Sequence, residues 1–330
     1  MNVPRTIILS RPDALGDAVV TLSTAGWIKH HAPETRIIAL VKEYTRPVWT
    51  NCDHVDTVIT LEALRSGGAV DQLRDLRADA IVHVFPHREV AQWAKRAGIP
   101  RRIGTSHRWW HWTTCNERVN FSRKRSDLHE AQLNIELLAP FGLAVPGLPE
   151  LANAIALRRP EVPAEIAAWS IPGRKRVILH PLLGSGVGWG LHNFATLISA
   201  LDPERWQVII TGTAAEAERY RAQLPLHRPH VRDAGGRLSL EQLMALIGAS
   251  DALVAASTGP LHIAAALGIR AIGLYSMRRP IHPGRWAPLG RDAHALTDDP
   301  NCPECAAGRP CDCITRIDPR RVLALLEELP

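Results

Sequence analysis

No run of this 330-residue chain stays apolar for the length a bilayer-crossing helix needs. That absence excludes an integral membrane protein of the helical kind. The opening residues, Met1-Asn-Val-Pro-Arg-Thr-Ile-Ile-Leu-Ser10, turn polar too early for a signal peptide and run straight into a strand pattern. The expectation is a cytoplasmic protein. The dinucleotide fingerprint G-x-G-x-x-G is missing after the first strand, which removes the commonest cofactor reading of an α/β chain. Positive charge is dispersed rather than gathered in a stripe, so no nucleic-acid partner is expected. Cysteine is scarce outside one cluster: four of the six lie between residues 302 and 313.

What is present describes a folded protein too long for one comfortable core, which points to two domains. The net charge of +6, carried largely by arginine, favours an anionic partner such as a phosphorylated substrate or a membrane surface.

Apolar runs alternate with helical periodicity along both halves. In the first half strands are expected at 6–10, 36–41, 57–60, 80–85 and 102–104, with helices near 17–31, 62–76, 88–97 and 127–141. The Pro/Gly stretch Gly142-Leu-Ala-Val-Pro-Gly-Leu-Pro149 marks a boundary. The alternation restarts with strands at 176–180, 207–211, 252–256 and 271–275 and helices near 192–201, 214–223, 240–248 and 260–267. A last helix starts at Asp318-Pro319. The pattern predicts two doubly wound parallel α/β domains, 1–150 and 151–316, with 317–330 as a helix packing back toward the first domain.

The most informative stretch follows the 252–256 strand. Ser257-Thr258-Gly259-Pro260 breaks it and opens a small-residue helix carrying His262. Thr258 suits the N-cap and Pro260 the first turn. Gly259 allows close approach to the backbone, and the free N–H groups form a natural seat for phosphate. The bland alternative is an ordinary α/β turn. The loop after the 176–180 strand holds glycines 184, 186, 188 and 190 around Ser185 and Trp189. Its amides can wrap a diphosphate, or it is a plain connector. Thr211-Gly212 closes the next strand, and Glu216 either accepts from a ribose or simply favours its helix start.

In the first half, Asp13 and Asp17 sit where the first strand passes into the first helix. Each is a candidate proton acceptor for a sugar hydroxyl, or an N-cap. The basic, Trp-rich stretch 101–112 and Arg123-Lys-Arg125 suit a phosphorylated amphiphile at a membrane surface, or a solvated loop. Arg11, Arg101, Arg108, Arg123 and Arg125 are the candidate acceptor contacts. Cys302, Cys305, Cys311 and Cys313, spaced C-x2-C-x5-C-x-C, form either a Cys-rich surface loop or a structural zinc site; the spacing is tighter than usual zinc patterns.

Gly16-Asp17, the Gly-rich loop ending in Trp189, Thr211-Gly212 and Ser-Thr-Gly-Pro-Leu-His (257–262), in that order, resemble glycosyltransferase family 9, the heptosyltransferase family. The resemblance implies a GT-B fold: two Rossmann-like domains facing across a cleft, acceptor on the first and nucleotide-sugar on the second. It implies inverting, metal-independent transfer of a heptose-like sugar from an ADP-heptose-like donor to a lipopolysaccharide-core or related glycan acceptor, with peripheral contact at the inner membrane. Asp17 matches the family's general base. Thr258, Gly259 and Pro260 match the diphosphate cradle, and Glu216 falls near the ribose contact. Two positions depart from the family: Ser257 replaces an Asp, and Val187-Gly188-Trp189 lacks a lysine that neutralises the leaving diphosphate. Arg278, Arg279 or Arg285 are left to supply that charge. Two other readings share the architecture: a nucleotide-sugar epimerase, and a degenerate transferase that binds without turnover.

Overall fold

The computed structural model describes residues 2–184 and 187–330. The chain divides between Arg158 and Arg159 into two compact units. The first contains a sheet of β1 (Thr6–Ser10), β2 (Arg36–Val41), β3 (Thr57–Thr60), β4 (Ala80–His83), β5 (Arg101–Thr105) and β6 (Glu117–Val119) in the order β3-β2-β1-β4-β5-β6. Every pairing is parallel. Ile7, Ile8 and Leu9 are all fully buried, as a strand covered on both faces requires, so the run reads as continuous rather than alternating hydrophobicity. Ile8, Ile38 and Ile81 pack on one face against Leu64, Leu73 and Val90 from the intervening helices. The helix expected over 62–76 is two, Leu61–Ser66 and Ala69–Asp75. Gly67-Gly68 divides them, Gly68 taking a left-handed φ of 78° that breaks the helical path. The helix expected over 127–141 shortens to Glu130–Glu136, followed by a 3-10 turn at Ala139–Phe141.

The second unit repeats the plan with β7 (Lys175–His180), β8 (Trp206–Ile210), β9 (Val231–Asp233), β10 (Ala252–Ala256), β11 (Arg270–Leu274) and β12 (Ala293–Leu296), in the order β12-β11-β10-β7-β8-β9, again all parallel. Its core joins Val177, Leu179, Val208, Val254 and Ile272 to Phe194 of the helix Leu191–Ala200. In the final helix, Pro319–Glu327, Val322 and Leu326 are both fully buried and join the second unit's core.

In each unit the chain winds one way from its first strand and then returns to build the other side. The reversal falls between β1 and β4 in the first unit and between β7 and β10 in the second. Loops leaving adjacent strands diverge there, opening the crevice at the carboxyl ends where α/β sheets hold ligands.

Candidate active site

At the first unit's reversal point the chain leaves β1 through Ser10-Arg11-Pro12-Asp13 and enters the helix Leu15–His31. That helix has Ala14 at its N-cap and no side-chain cap bond. Neither Asp13 nor Asp17 is used as a cap. Both turn instead to Arg11, which is 2 % exposed. Arg11 Nη2 donates to Asp17 Oδ1, and Arg11 Nε lies 3.0 Å from Asp13 Oδ1. Arg11 Nη2 also approaches Glu130 Oε1 at 3.4 Å. Glu130 is taken from its other side by Arg123 Nε at 3.0 Å. Arg11 and Arg123 both donate to the carbonyl of Val84, just past β4. Arg123 further donates to Asn134 Oδ1 at 3.0 Å, and Asn134 to Thr21 Oγ1 at 3.2 Å. Tyr44 Oη holds the loop from outside through the Asp13 carbonyl at 2.7 Å.

Three carboxylates thus share two guanidinium groups. Burial pushes the Asp13 carboxyl up to about 7, with Asp17 and Glu130 adding to the rise against the pull of Arg11. Burial raises Asp17 as well, opposed chiefly by Arg11 and reinforced by Glu130. Burial works against the charge on Arg11, but Asp17, Asp13 and Glu130 outweigh it and hold the guanidinium above its usual value. A carboxylate whose proton affinity approaches neutrality is a better base than an ordinary one. Asp17 is the more open of the two, 24 % exposed against 15 % for Asp13. His83, ending β4 opposite Ser10, is not a rival. Burial, with His111 and Arg102 beside it, drives its imidazole down to about 3, so it is a far weaker base.

At the second unit's reversal point β10 passes through Ser257 and Thr258 into the helix Gly259–Ala266. Thr258 occupies the N-cap with extended backbone (φ −131°, ψ 163°), but its hydroxyl makes no cap bond. Thr258 Oγ1 is buried and without a hydrogen-bond partner among the described residues. The same protein caps other helices fully: Thr213 with Glu216, and Ser239 with Gln242, form reciprocal boxes. An uncapped first turn leaves its N–H groups, and the positive end of the dipole, available to an anion. His262, 3 % exposed, packs edge-on against Trp286 at 6.3 Å.

Several expected contacts have other employment. Trp189 is fully buried, donates Nε1–H to the Ile317 carbonyl at 2.7 Å and stacks edge-on against Phe194; it is a core residue, closed to a donor. Glu216 is committed to capping, its Oε2 accepting from the Thr213 N–H at 2.7 Å and the Thr213 hydroxyl at 3.0 Å. A side chain at Gly212 would crowd Glu216 and Tyr220 at 3.3–3.4 Å, so the packing of its own helix already favours glycine here. Thr211 Oγ1 pairs with His180 Nδ1 at 3.0 Å. Of the Gly-rich loop, Gly184 is exposed with open space above it, while Ser185 and Gly186 lie outside the described residues.

Arg101 is at the wrong edge. It begins β5, so in a parallel sheet it belongs to the amino edge, away from the β1 and β4 carboxyl ends. There it grips both oxygens of Glu117 at 2.7 and 2.8 Å and stacks on Phe141. Arg108 and Arg125 are exposed. Arg123 and Arg11 join the carboxylate cluster described above. Glu130, 2 % exposed at the start of its helix, is the member of this cluster that the sequence alone did not single out. The four clustered cysteines do come together, their sulfurs all within 4.8 Å of one another.

The profile of glycosyltransferase family 9 (heptosyltransferase) matches residues 70–313. A Haemophilus influenzae protein named only as a glycosyltransferase is 26 % identical over 306 residues, covering 86 % of each chain. The lipopolysaccharide core heptosyltransferase OpsX of the same organism is 23 % identical over 301 residues, 85 % of this chain and 81 % of that one. The solved structure of E. coli ADP-heptose lipopolysaccharide heptosyltransferase II superposes with a TM-score of 0.75 at 21 % identity, covering 98 % of both chains.

Proposed function

The chain belongs to glycosyltransferase family 9, the heptosyltransferase family, and on that premise we propose that it moves a heptose-like sugar from a nucleotide diphosphate, ADP-heptose or a near relative, to a lipopolysaccharide-core or related glycan acceptor. The transfer is a single displacement with inversion and needs no metal for its chemistry. Asp17 takes the proton of the acceptor hydroxyl as that oxygen attacks the anomeric carbon. Arg11 fixes the Asp17 carboxylate, Glu130 fixes Arg11, and Arg123 fixes Glu130. The unfilled N-terminus of the Gly259–Ala266 helix, with Thr258 Oγ1, receives the departing diphosphate, where fixed donors are worth more than mobile water. Exposed Arg278 and Arg279, in the loop after β11, take the place of the family's absent lysine; Arg285 is buried against Trp286.

The acceptor's lipid suggests where the protein works. Trp109 and Trp112 are 63 % and 61 % exposed, with Arg88 and Arg118 seated over their rings at 4.8 and 4.5 Å. Such amphipathic pairs suit the headgroup layer, and we assign this patch to peripheral contact with an anionic membrane face. No helix among the described residues is long and apolar enough to cross a membrane.

The observation that carries this reading is the largely buried five-charge cluster around Arg11 at a ligand-collecting sheet edge, where burial raises the proton affinity of Asp13 and Asp17 and Arg11 holds both in place. The test is a thermal-shift screen against ADP-, UDP-, GDP- and dTDP-linked sugars, followed by transfer assays on truncated lipopolysaccharide read by mass spectrometry. Stabilisation by an ADP-sugar and gain of one sugar on the acceptor are expected. Sugar release or epimerisation with no glycosylated product would overturn the reading.

A further inference from the structure

Residues 302–313 form a small knot in the second unit. Cys302 precedes the one-turn helix Pro303–Ala306, and Cys305 lies within it. Cys311 and Cys313 flank Asp312, where the turn Cys313–Arg316 begins. The sulfurs of Cys302 and Cys311 are 3.5 Å apart, and those of Cys305 and Cys313 are 3.6 Å apart. These separations are far too long for disulfides, which hold sulfurs at about 2.05 Å. They match the edge of a tetrahedron of thiolates around an ion at about 2.3 Å from each sulfur, which is about 3.8 Å.

The surroundings favour a metal over a reactive thiol patch. Cys302, Cys305 and Cys313 are buried and Cys311 is half-buried. Among the described residues, Met277 is the one non-cysteine hydrophobic side chain packed on the cluster. The backbone N–H of Cys313 points at Cys311 Sγ from 3.4 Å, the outer-shell donation that steadies a metal-bound thiolate. Neighbouring carboxylates are occupied elsewhere: Glu304 is gripped by Arg309 at 2.6 and 2.8 Å, and Asp312 is 3.4 Å from Arg316. The donor set is therefore four sulfurs, the composition of a closed structural site rather than a catalytic one.

We propose that Cys302, Cys305, Cys311 and Cys313 bind one structural Zn²⁺ or Fe²⁺ in a tetrathiolate site. Through Met277 the ion also fixes the loop that follows β11 and carries Arg278 and Arg279. The site stands on thiol geometry and is independent of the transferase reading; its consequence for the arginines belongs with that reading.

The full chain, purified without a polyhistidine tag and under reductant, is expected to hold about one equivalent of metal through dialysis. Elemental analysis separates zinc from iron. Co²⁺ exchanged into the site should give the intense visible bands of tetrahedral thiolate coordination. Cys305→Ser and Cys313→Ser should lose the metal. Should they fail to fold, X-ray absorption on the unaltered protein must show four sulfur neighbours at about 2.3 Å. A metal-free folded protein with four freely titrating thiols, a mass corresponding to two disulfides, or a first shell of oxygen and nitrogen would each overturn the site. Hydrogen exchange in residues 275–282 should quicken once the metal is stripped with a mercurial and chelator. Unchanged exchange would remove the loop-fixing role and leave the metal site intact.

Discussion

Arg11 donates to Asp17 across the turn that joins the first strand to the first helix, and the same guanidinium nitrogen reaches Glu130, 119 positions further along the chain. The proposed base is thus held by a cation that is itself held from elsewhere in the fold. Asp17→Asn keeps the shape but abolishes proton acceptance, and transfer should fall by roughly 10²–10⁴-fold while donor affinity is kept. Steady-state kinetics beside calorimetric donor titration would separate the two; undiminished kcat would remove Asp17 from the role.

Removing Arg11 should cost more in folding than an exposed pair of similar geometry. Arg11→Met strands Asp13 and Asp17 without their counter-ion and leaves Glu130 to Arg123 alone, and a loss of about 3–5 kcal/mol is expected. Arg65→Met breaks the half-exposed pair with Glu89 and should cost far less. Urea melts of both variants decide the matter; equal losses would mean the cluster is no tighter than a surface pair.

The raised carboxyl of Asp13 gives stability an unusual pH slope. Its folded value is about 7, above the unfolded 3.8, so the folded state binds the extra proton between those limits. Wild-type stability should therefore fall, relative to Asp13→Asn, as pH climbs from about 4 to 7, and then level off. Paired thermal melts across that range would show it, and the opposite slope would contradict the burial-driven shift. Asp17 is raised by the same cause, so the acid limb of the transfer rate should lie above the ordinary carboxylate range.

Thr258→Ala tests an idle hydroxyl. Because Oγ1 caps nothing, the substitution should change stability little, whereas Ser239→Ala, which removes a working cap, should cost about 1 kcal/mol. Thr258→Ala should nonetheless weaken ADP-sugar binding about tenfold, the loss of one good hydrogen bond. Isothermal titration reads this directly. Unaltered affinity would release Thr258 from the diphosphate cradle.

Trp189→Ala should behave as a core truncation, costing about 3–5 kcal/mol and leaving KM for donor near that of the parent in the fraction that remains folded. A large rise in KM at unchanged melting temperature would return Trp189 to the donor site.

The strands were legible because runs such as Ile7-Ile8-Leu9 and Ala252–Ala256 are buried on both faces and carry no alternation to confuse. Asp17 and the Ser257–Pro260 turn were legible because each follows a strand's end, where a parallel sheet collects its loops. Glu130 was not, because its partners Arg11 and Arg123 are brought to it by tertiary folding rather than by spacing. Trp189 was misread because a conspicuous aromatic in a glycine loop gives no sign of which way its ring turns; here it turns inward to Ile317 and Phe194. Arg101 could have been placed correctly. A residue that starts a parallel strand belongs to the amino edge, and strand direction outweighs the attraction of a basic, Trp-rich neighbourhood.

Each unit has its own six-stranded sheet, its own buried core and its own point of reversed winding. On the proposed reading, proton abstraction belongs to the first framework and nucleotide capture to the second. Swapping the second unit among relatives should exchange nucleotide preference while leaving the ionisation behaviour of Asp17 untouched, so chimaeras offer a route to new sugar linkages without rebuilding the base.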